Sequence, residues 1–181
     1  MKQTILTAGI GGQGVQVLGK LLAYCANAQG LHVTMDAKYS GNMRGAPSNC
    51  TVIISDRVIG SPIERRSDHL IAFSQESLNK LLDRVAPGGA VWRDTTLAPL
   101  CPDGREDILF DGCPATALAE ALGERRSANM VMAGYAAERL SFFDVSAMRE
   151  CLPLVLGKKP QLIEQNFAAF DRGVRFAREA Q

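Results

Sequence analysis

Apolar positions along the chain change period several times. Ile5 to Ile10 is a short apolar run closed by glycine, which marks a buried strand. Beyond Gly9-Ile10-Gly11-Gly12-Gln13-Gly14, residues Val15, Leu18, Leu21, Leu22 and Cys25 recur at helical spacing. A helix is therefore predicted over about 14–28, with Gly30 as its stop. Leu31, Val33 and Met35 alternate with His32 and Thr34, a second strand ending at Asp36. Strand, turn, helix and strand in this order are the unit of a parallel α/β sheet.

Residues 38–48 break the pattern with turn formers and polar groups. Strand-like runs follow at Cys50–Ser55, Val58–Ile59 and His69–Ser74. Ser77, Leu78, Leu81, Leu82 and Val85 suit a short helix. Pro87-Gly88-Gly89 reads as a turn before Ala90-Val91-Trp92, and Ile108-Leu109-Phe110 as another short strand. From Pro114 onward the pattern is helical, over 115–123, 127–140 and 144–152. A last helix carries Ile163, Phe167, Phe170, Val174 and Ala177 on one stripe, with Pro160 near its start. The expected fold is α/β: a Rossmann-like, mostly parallel sheet flanked by helices, with a helical C-terminal third. It is read as one domain over residues 1–181.

Composition narrows the function classes. Lys plus Arg number 20 against 19 Asp plus Glu, so a strongly basic nucleic-acid protein is not the expectation. The N-terminal apolar run is too short for a signal peptide, and no segment reaches the ~18–20 apolar residues of a membrane span. A cytoplasmic protein is expected. The cysteines at 25, 50, 101, 113 and 151 match neither a disulfide framework nor a zinc or iron–sulfur spacing. With only His32 and His69, no metal site is expected.

The glycine loop is the clearest chemical signal. Gly9, Gly11 and Gly14 fit G-x-G-x-x-G between strand and helix. Free N–H groups at the helix start suit an anion, so Gly11, Gly12, Gln13 and Gly14 are the candidate anion-binding loop. Asp36 lies 22 residues after Gly14, where a dinucleotide enzyme places its ribose acid. A stand-alone NAD-dependent oxidoreductase is thus one reading; methyl transfer and a nucleotide-sensing module are others. Against NAD, the Gln13 amide can bond backbone or a partner group, and no clear hydride-transfer site follows. His69 is read as a packed or surface histidine.

Several further segments stand in a familiar order. Gly9-Ile10-Gly11-Gly12-Gln13-Gly14-Val15 resembles the opening of the gamma subunit of 2-oxoacid:ferredoxin oxidoreductases, the pyruvate/ketoisovalerate oxidoreductase catalytic domain family. Tyr39-Ser40-Gly41-Asn42-Met43-Arg44-Gly45 is similar to that family's second signature. Asn49 to Ser55 with Ile59-Gly60-Ser61-Pro62, then Asp68 to Ala72 and Pro87-Gly88-Gly89, continue it. Asn129-Met130 with Gly134, and Lys159-Pro160, Asn166, Ala169-Phe170 and Gly173, complete it, so the resemblance spans nearly the whole chain. Two departures fall in the second signature: Gly45-Ala46 replaces a usual Gly-Gly pair, and Asn42 replaces a commonly acidic residue.

The resemblance implies a subunit of an enzyme that converts a 2-oxoacid and coenzyme A to acyl-CoA, carbon dioxide and reduced ferredoxin. Thiamine diphosphate with Mg2+ and iron–sulfur clusters then belong to partner chains, and coenzyme A approaches nearby. The implied partners are alpha and beta subunits, a delta ferredoxin-like subunit and ferredoxin. Neither nucleic acid nor membrane is among them, and a homodimer of the isolated chain is left open. The motif pattern leans toward 2-oxoglutarate or branched-chain substrates. No residue of this chain is assigned a catalytic role, and alone it is expected to be inactive. Arg44 is the leading functional residue, placed with Asn42, Met43 and Gly45 as a contact to substrate, coenzyme A or a partner subunit. Met43, Trp92 and Phe142-Phe143 are suggested as interface members. Asn129 is read as a helix cap, Lys158-Lys159 and Arg125-Arg126 as solvated basic pairs, and the cysteines as ordinary thiols.

Overall fold

The first strand is buried without a break from Thr4 to Gly9, and its side chains face two cores in alternation. In β1 (Lys2–Ile10), Ile5 faces the larger apolar cluster, whereas Leu6 and Ala8 face the smaller one. A strand buried on both faces belongs in the middle of a covered sheet. The computed structural model describes residues 1–39, 45–157 and 160–180.

After β1 come α1 (Val15–Ala28), β2 (His32–Tyr39), β3 (Pro47–Ser55), β4 (Ser67–Ala72) and α2 (Gln75–Leu81). A 3-10 turn, Leu82–Arg84, leads into β5 (Val85–Asp94) and β6 (Leu109–Cys113). The C-terminal third holds α3 (Ala115–Ala121), α4 (Ala128–Arg139), α5 (Val145–Glu150), α6 (Leu152–Leu156) and α7 (Pro160–Glu179). The six strands form one mixed sheet in the order β2-β3-β1-β4-β5-β6. β1, β4, β5 and β6 pair in parallel, and β3 is antiparallel to both its neighbours. The connection from β2 to β3 is short, so the chain must turn back on itself as a hairpin. β3 then fills the space between β2 and β1.

Helices cover the two faces unequally. α1 buries Val15, Leu18, Leu21, Leu22 and Cys25 against the same cluster that α4, α5, α6 and α7 complete. The opposite face is closed largely by Leu78 of α2 with Leu82, Ala98 and Ile108. α4 and α7 pack backbone to backbone at reciprocal glycines. A Cβ added to Gly134 would meet the Phe170 carbonyl, and one added to Gly173 would meet the Val131 carbonyl. Among the described residues, no helix is long and apolar enough to cross a membrane.

The structure revises four local expectations. Val58–Ile59 forms no strand; Val58 is 80% exposed in the loop between β3 and β4. Pro87-Gly88-Gly89 is not a turn before a strand but an irregularity inside β5. Val85 pairs with Ser67 and the next pair is Ala90 with His69, so five residues of β5 oppose two of β4. The stretch 144–152 is not one helix, since α5 ends at Glu150 and α6 restarts at Leu152. β2 does not stop at Asp36 but runs on to Tyr39.

Candidate functional site

The glycine loop leaves the carboxyl end of β1 and turns into α1. Gly12 and Gly14 take positive φ, 101° and 74°, which a side chain resists. Gly14 starts α1 with no side-chain hydrogen bond capping the first turn. The N–H groups there are thus available to an anion. Gln13 does not share that freedom. Its Oε1 accepts from Ile10 N–H at 2.7 Å and its Nε2 donates to Phe73 O at 2.9 Å. The amide bonds backbone, as the sequence suggested, and ties the ends of β1 and β4 together. Gln13 therefore shapes the glycine loop and is not itself a free ligand.

Asn129 is not a cap. It lies in α4, whose preceding residue Ser127 gives no side-chain cap either. Its Nδ2 stands 3.5 Å from Gly14 O, and a Cβ on Gly14 would collide with the Asn129 side chain. The third glycine of the loop exists to admit this asparagine from 115 residues away. Local sequence carries no sign of that pairing.

Gly45, the last residue of the second signature, and Ala46 reach the same place. Gly11 N–H donates to Ala46 O at 2.9 Å, so residues 45–46 lie beside the glycine loop. Gly45 has φ 81° and open space around its Cα. Asn42, Met43 and Arg44 lie outside the described residues, as do Lys158 and Lys159.

A cleft of about 370 Å³ opens beside the loop, beyond the carboxyl ends of the parallel strands. Gly12, Gln13, Phe73, Ser74, Arg125 and Arg126 line it. This is where open α/β sheets hold ligands. Arg125 pairs with Glu120 at 2.6 Å, and Arg126 is exposed. A basic rim, glycine N–H groups and an apolar wall from Phe73 suit a phosphorylated ligand with a hydrophobic portion.

The same geometry removes the dinucleotide reading of Asp36. Asp36 is level with Thr51, and Thr51 with Leu6, so Asp36 sits three residues below Gly9. It also lies two strands from β1, roughly 10 Å at ordinary strand spacing. Its carboxylate pairs with Lys38 at 3.5 Å on the sheet's edge.

His69 belongs to the opposite end of the sheet. Its Nδ1 accepts from the Trp92 indole at 3.4 Å, and its Nε2 stands 3.1 Å from Gln3 Oε1. An indole can only donate, so the imidazole is neutral with its proton on Nε2. Burial pushes its pKa below the ordinary histidine value, with Asp68 opposing. It is a packed histidine. Trp92 and Phe143 are core residues, 4% and 6% exposed, and so are not interface members as suggested.

Cys25, Cys50, Cys113 and Cys151 are buried thiols and Cys101 is exposed. Burial pushes Cys25 and Cys50 up to about 12, so both stay protonated. Among the described residues, no three His, Cys, Asp or Glu side chains are grouped to hold a metal ion.

Residues 4–176 match the family model described as pyruvate ferredoxin/flavodoxin oxidoreductase. The chain belongs to that family. It is 35% identical over 173 residues to the ketoisovalerate oxidoreductase subunit VorA of Methanothermobacter thermautotrophicus, covering 95% of this chain and 36% of that protein. It therefore spans about a third of the length of the ketoisovalerate relatives it matches. It is 33% identical to the 2-oxoglutarate synthase subunit KorC of Methanothermobacter marburgensis, covering 100% of both chains. The fold matches the keto/oxoacid ferredoxin oxidoreductase gamma subunit from Geobacter sulfurreducens with a TM-score of 0.85, 25% identity and coverage of 99% and 98%. It also matches a chain of the 2-oxoglutarate:ferredoxin oxidoreductase from Magnetococcus marinus with 2-oxoglutarate, coenzyme A and succinyl-CoA bound. That match has a TM-score of 0.82 and 27% identity, covering 98% of this chain and 31% of the other.

Proposed function

We propose that this family member acts as the gamma-type subunit of a multi-subunit 2-oxoacid:ferredoxin oxidoreductase of the 2-oxoglutarate or branched-chain type. The observation that carries this is the end-to-end match to KorC, with 100% of each chain covered. The subunit supports coenzyme-A-dependent oxidative decarboxylation and is inactive alone. Its partners are alpha and beta subunits, joined by a delta ferredoxin-like subunit, with ferredoxin as electron acceptor. Thiamine diphosphate, Mg2+ and iron–sulfur clusters reside on those partners.

In this reading the cleft beside Gly11–Gly14 holds the phosphorylated end of coenzyme A. The uncapped first turn of α1 faces one phosphate, and Arg125 and Arg126 screen others at the rim. Gln13 and Asn129 hold the loop in shape, so binding needs little rearrangement. Arg44, with Asn42, Met43 and Gly45, joins from the second signature and meets either the substrate or a partner's carboxylate. The chain's contribution is binding and orientation, while thiamine diphosphate on a partner carries the carbanion chemistry.

The test is an anaerobic purification of the tagged chain with its co-purifying subunits, followed by coenzyme-A-dependent viologen reduction with several 2-oxoacids. Brown material with larger subunits and activity is expected. Arg126→Ala is expected to raise KM for coenzyme A, and Arg44→Ala to lower turnover of the assembled enzyme. A colourless, partner-free chain overturns the reading.

A further inference from the structure

The end of the sheet opposite the glycine loop carries an unusual surface. The loop from Asp56 to Arg66 joins β3 to β4 and presents the two most exposed large apolar side chains among the described residues. Val58 is 80% exposed and Ile63 is 72% exposed. Arg57, Arg65 and Arg66 lie in the same loop, all exposed. No hydrogen bond or ion pair reaches these three guanidiniums among the described residues.

The nearby acids are already engaged. Asp56 pairs with the Met1 amino group at 2.5 Å, and Glu64 pairs with Lys2. Asp107, which faces Arg66, is held by both Nε and Nη2 of Arg105 at 2.7 and 3.0 Å. Asp83 lies across a neighbouring cleft shared with Arg66 and Arg105. The loop is also held in place. Arg84 donates to the carbonyls of Glu64 and Arg65, and Ser61 closes a small turn with Ile63. Two exposed apolar side chains in a braced loop with three arginines that form no ion pair do not serve this chain's own fold. Exposing Val58 and Ile63 to water gives the monomer nothing.

We infer that the 56–66 loop is a docking surface for another subunit of the oxidoreductase, one that offers an apolar hollow rimmed by Asp and Glu. This rests on the subunit reading above and extends it to a surface that reading does not use. Charge complementarity selects a protein partner. Guanidiniums pair bidentately with carboxylates, and Val58 and Ile63 are the size of side chains that fill a central hollow. A membrane-seeking loop would carry aromatic residues instead, and this loop has none.

The test uses the purified enzyme complex stripped of this chain as the probe, with rebinding followed by surface plasmon resonance. Val58→Asp and Ile63→Asp are each expected to weaken binding at least tenfold. Replacing Arg57, Arg65 and Arg66 with Glu is expected to weaken it similarly and to abolish the slowing of association by salt. Leu154→Asp, which places the same charge on an exposed leucine of α6, is expected to bind as wild type. Thermal melting of each variant checks that the fold is unchanged. Binding of V58D and I63D within twofold of wild type overturns the inference and leaves the subunit reading standing. Binding of the wild-type chain to phosphatidylglycerol vesicles, lost in the same variants while rebinding is kept, also overturns it. A wild-type chain that joins no such complex overturns both.

Discussion

Gly134→Ala tests how the C-terminal helices hold the rest of the molecule. A Cβ at this position would stand 2.9 Å from Phe170 C and 3.0 Å from Val174 N, with Phe170 O closer still. Ordinary contact begins near ~3.5 Å and Phe170 O is the tightest obstacle, so the helices must separate by about 1 Å or more. All three obstacles are α7 backbone, and none can swing aside as a side chain would. Alanine itself favours the helix by roughly 1 kcal/mol. Overpacking costs about 1–3 kcal/mol, and a rigid backbone on both sides puts this case at the upper end. The net expectation is a loss of about 2 kcal/mol, or roughly 4–8 °C in Tm for a chain of this size. Gly173→Ala should behave alike, because its Cβ would stand 2.8 Å from Val131 C and 2.9 Å from Tyr135 N. One separation relieves both clashes, so the double variant should cost about 1 kcal/mol less than the sum of the singles. Urea unfolding of the four proteins measures this cycle. Alanine variants as stable as wild type, or strictly additive losses, would refute the reasoning.

Three further outcomes follow from particular contacts. Gln13→Ala leaves Ile10 N–H and Phe73 O without partners and should cost about 1–3 kcal/mol in urea unfolding; an unchanged midpoint would show that Gln13 does not brace the loop. His69 has a folded pKa below its unfolded value, so its contribution to stability is complete above about pH 6.5 and is lost as pH falls below that. Asp56 and Asp107 are held below the usual carboxylate range by the amino terminus and Arg105 and titrate lower. The drop in stability from pH 7.5 to 5.5 should therefore shrink in His69→Phe, and an equal drop in both proteins would count against the buried neutral imidazole. Iodoacetamide at pH 8 should modify Cys101 quickly and the four buried thiols only on unfolding, as followed by intact mass; a second fast site would contradict the burial described.

Long periodic segments were legible in the chain, and some short ones were not. α1 and α7 follow stripes of apolar residues over several turns, and α1 begins one residue later than expected. Val58-Ile59 reads as strand by residue type, yet two β-branched residues without a pairing partner make a loop. Pro87-Gly88-Gly89 reads as a turn because proline and glycine usually break strands. Here Gly88 N–H reaches Asp107 O at 2.8 Å, and Gly89 lies against the backbone of Asp68 and Ala86. The close approach that ordinarily ends a strand instead lets β5 bulge and continue. At the candidate site, Gln13 was readable because its partners are the ends of the strands it joins. Asn129 was not, because its partner Gly14 is distant in sequence.

Asp36 shows how a local fingerprint can be present while its usual meaning is absent. Glycine spacing and the distance to an acid are properties of one βαβ unit. Whether the acid lies near the loop depends on which strand sits beside β1, and that is decided by residues outside the unit. β3 carries Cys50 to Ser55 buried throughout, whereas β2 is only half-buried from Val33 to Asp36 and exposed at His32, Ala37 and Lys38. A strand buried on both faces is driven to the interior of a sheet, and one that stays partly exposed is tolerated at its edge. With a hairpin joining the two, β3 must take the place beside β1, and β2 must move outward with Asp36. The apolar run in the third strand thus overrides the acid in the second. It leaves the glycine loop beside a cleft whose remaining walls come from Phe73, Arg125 and Arg126 and not from the neighbouring strand.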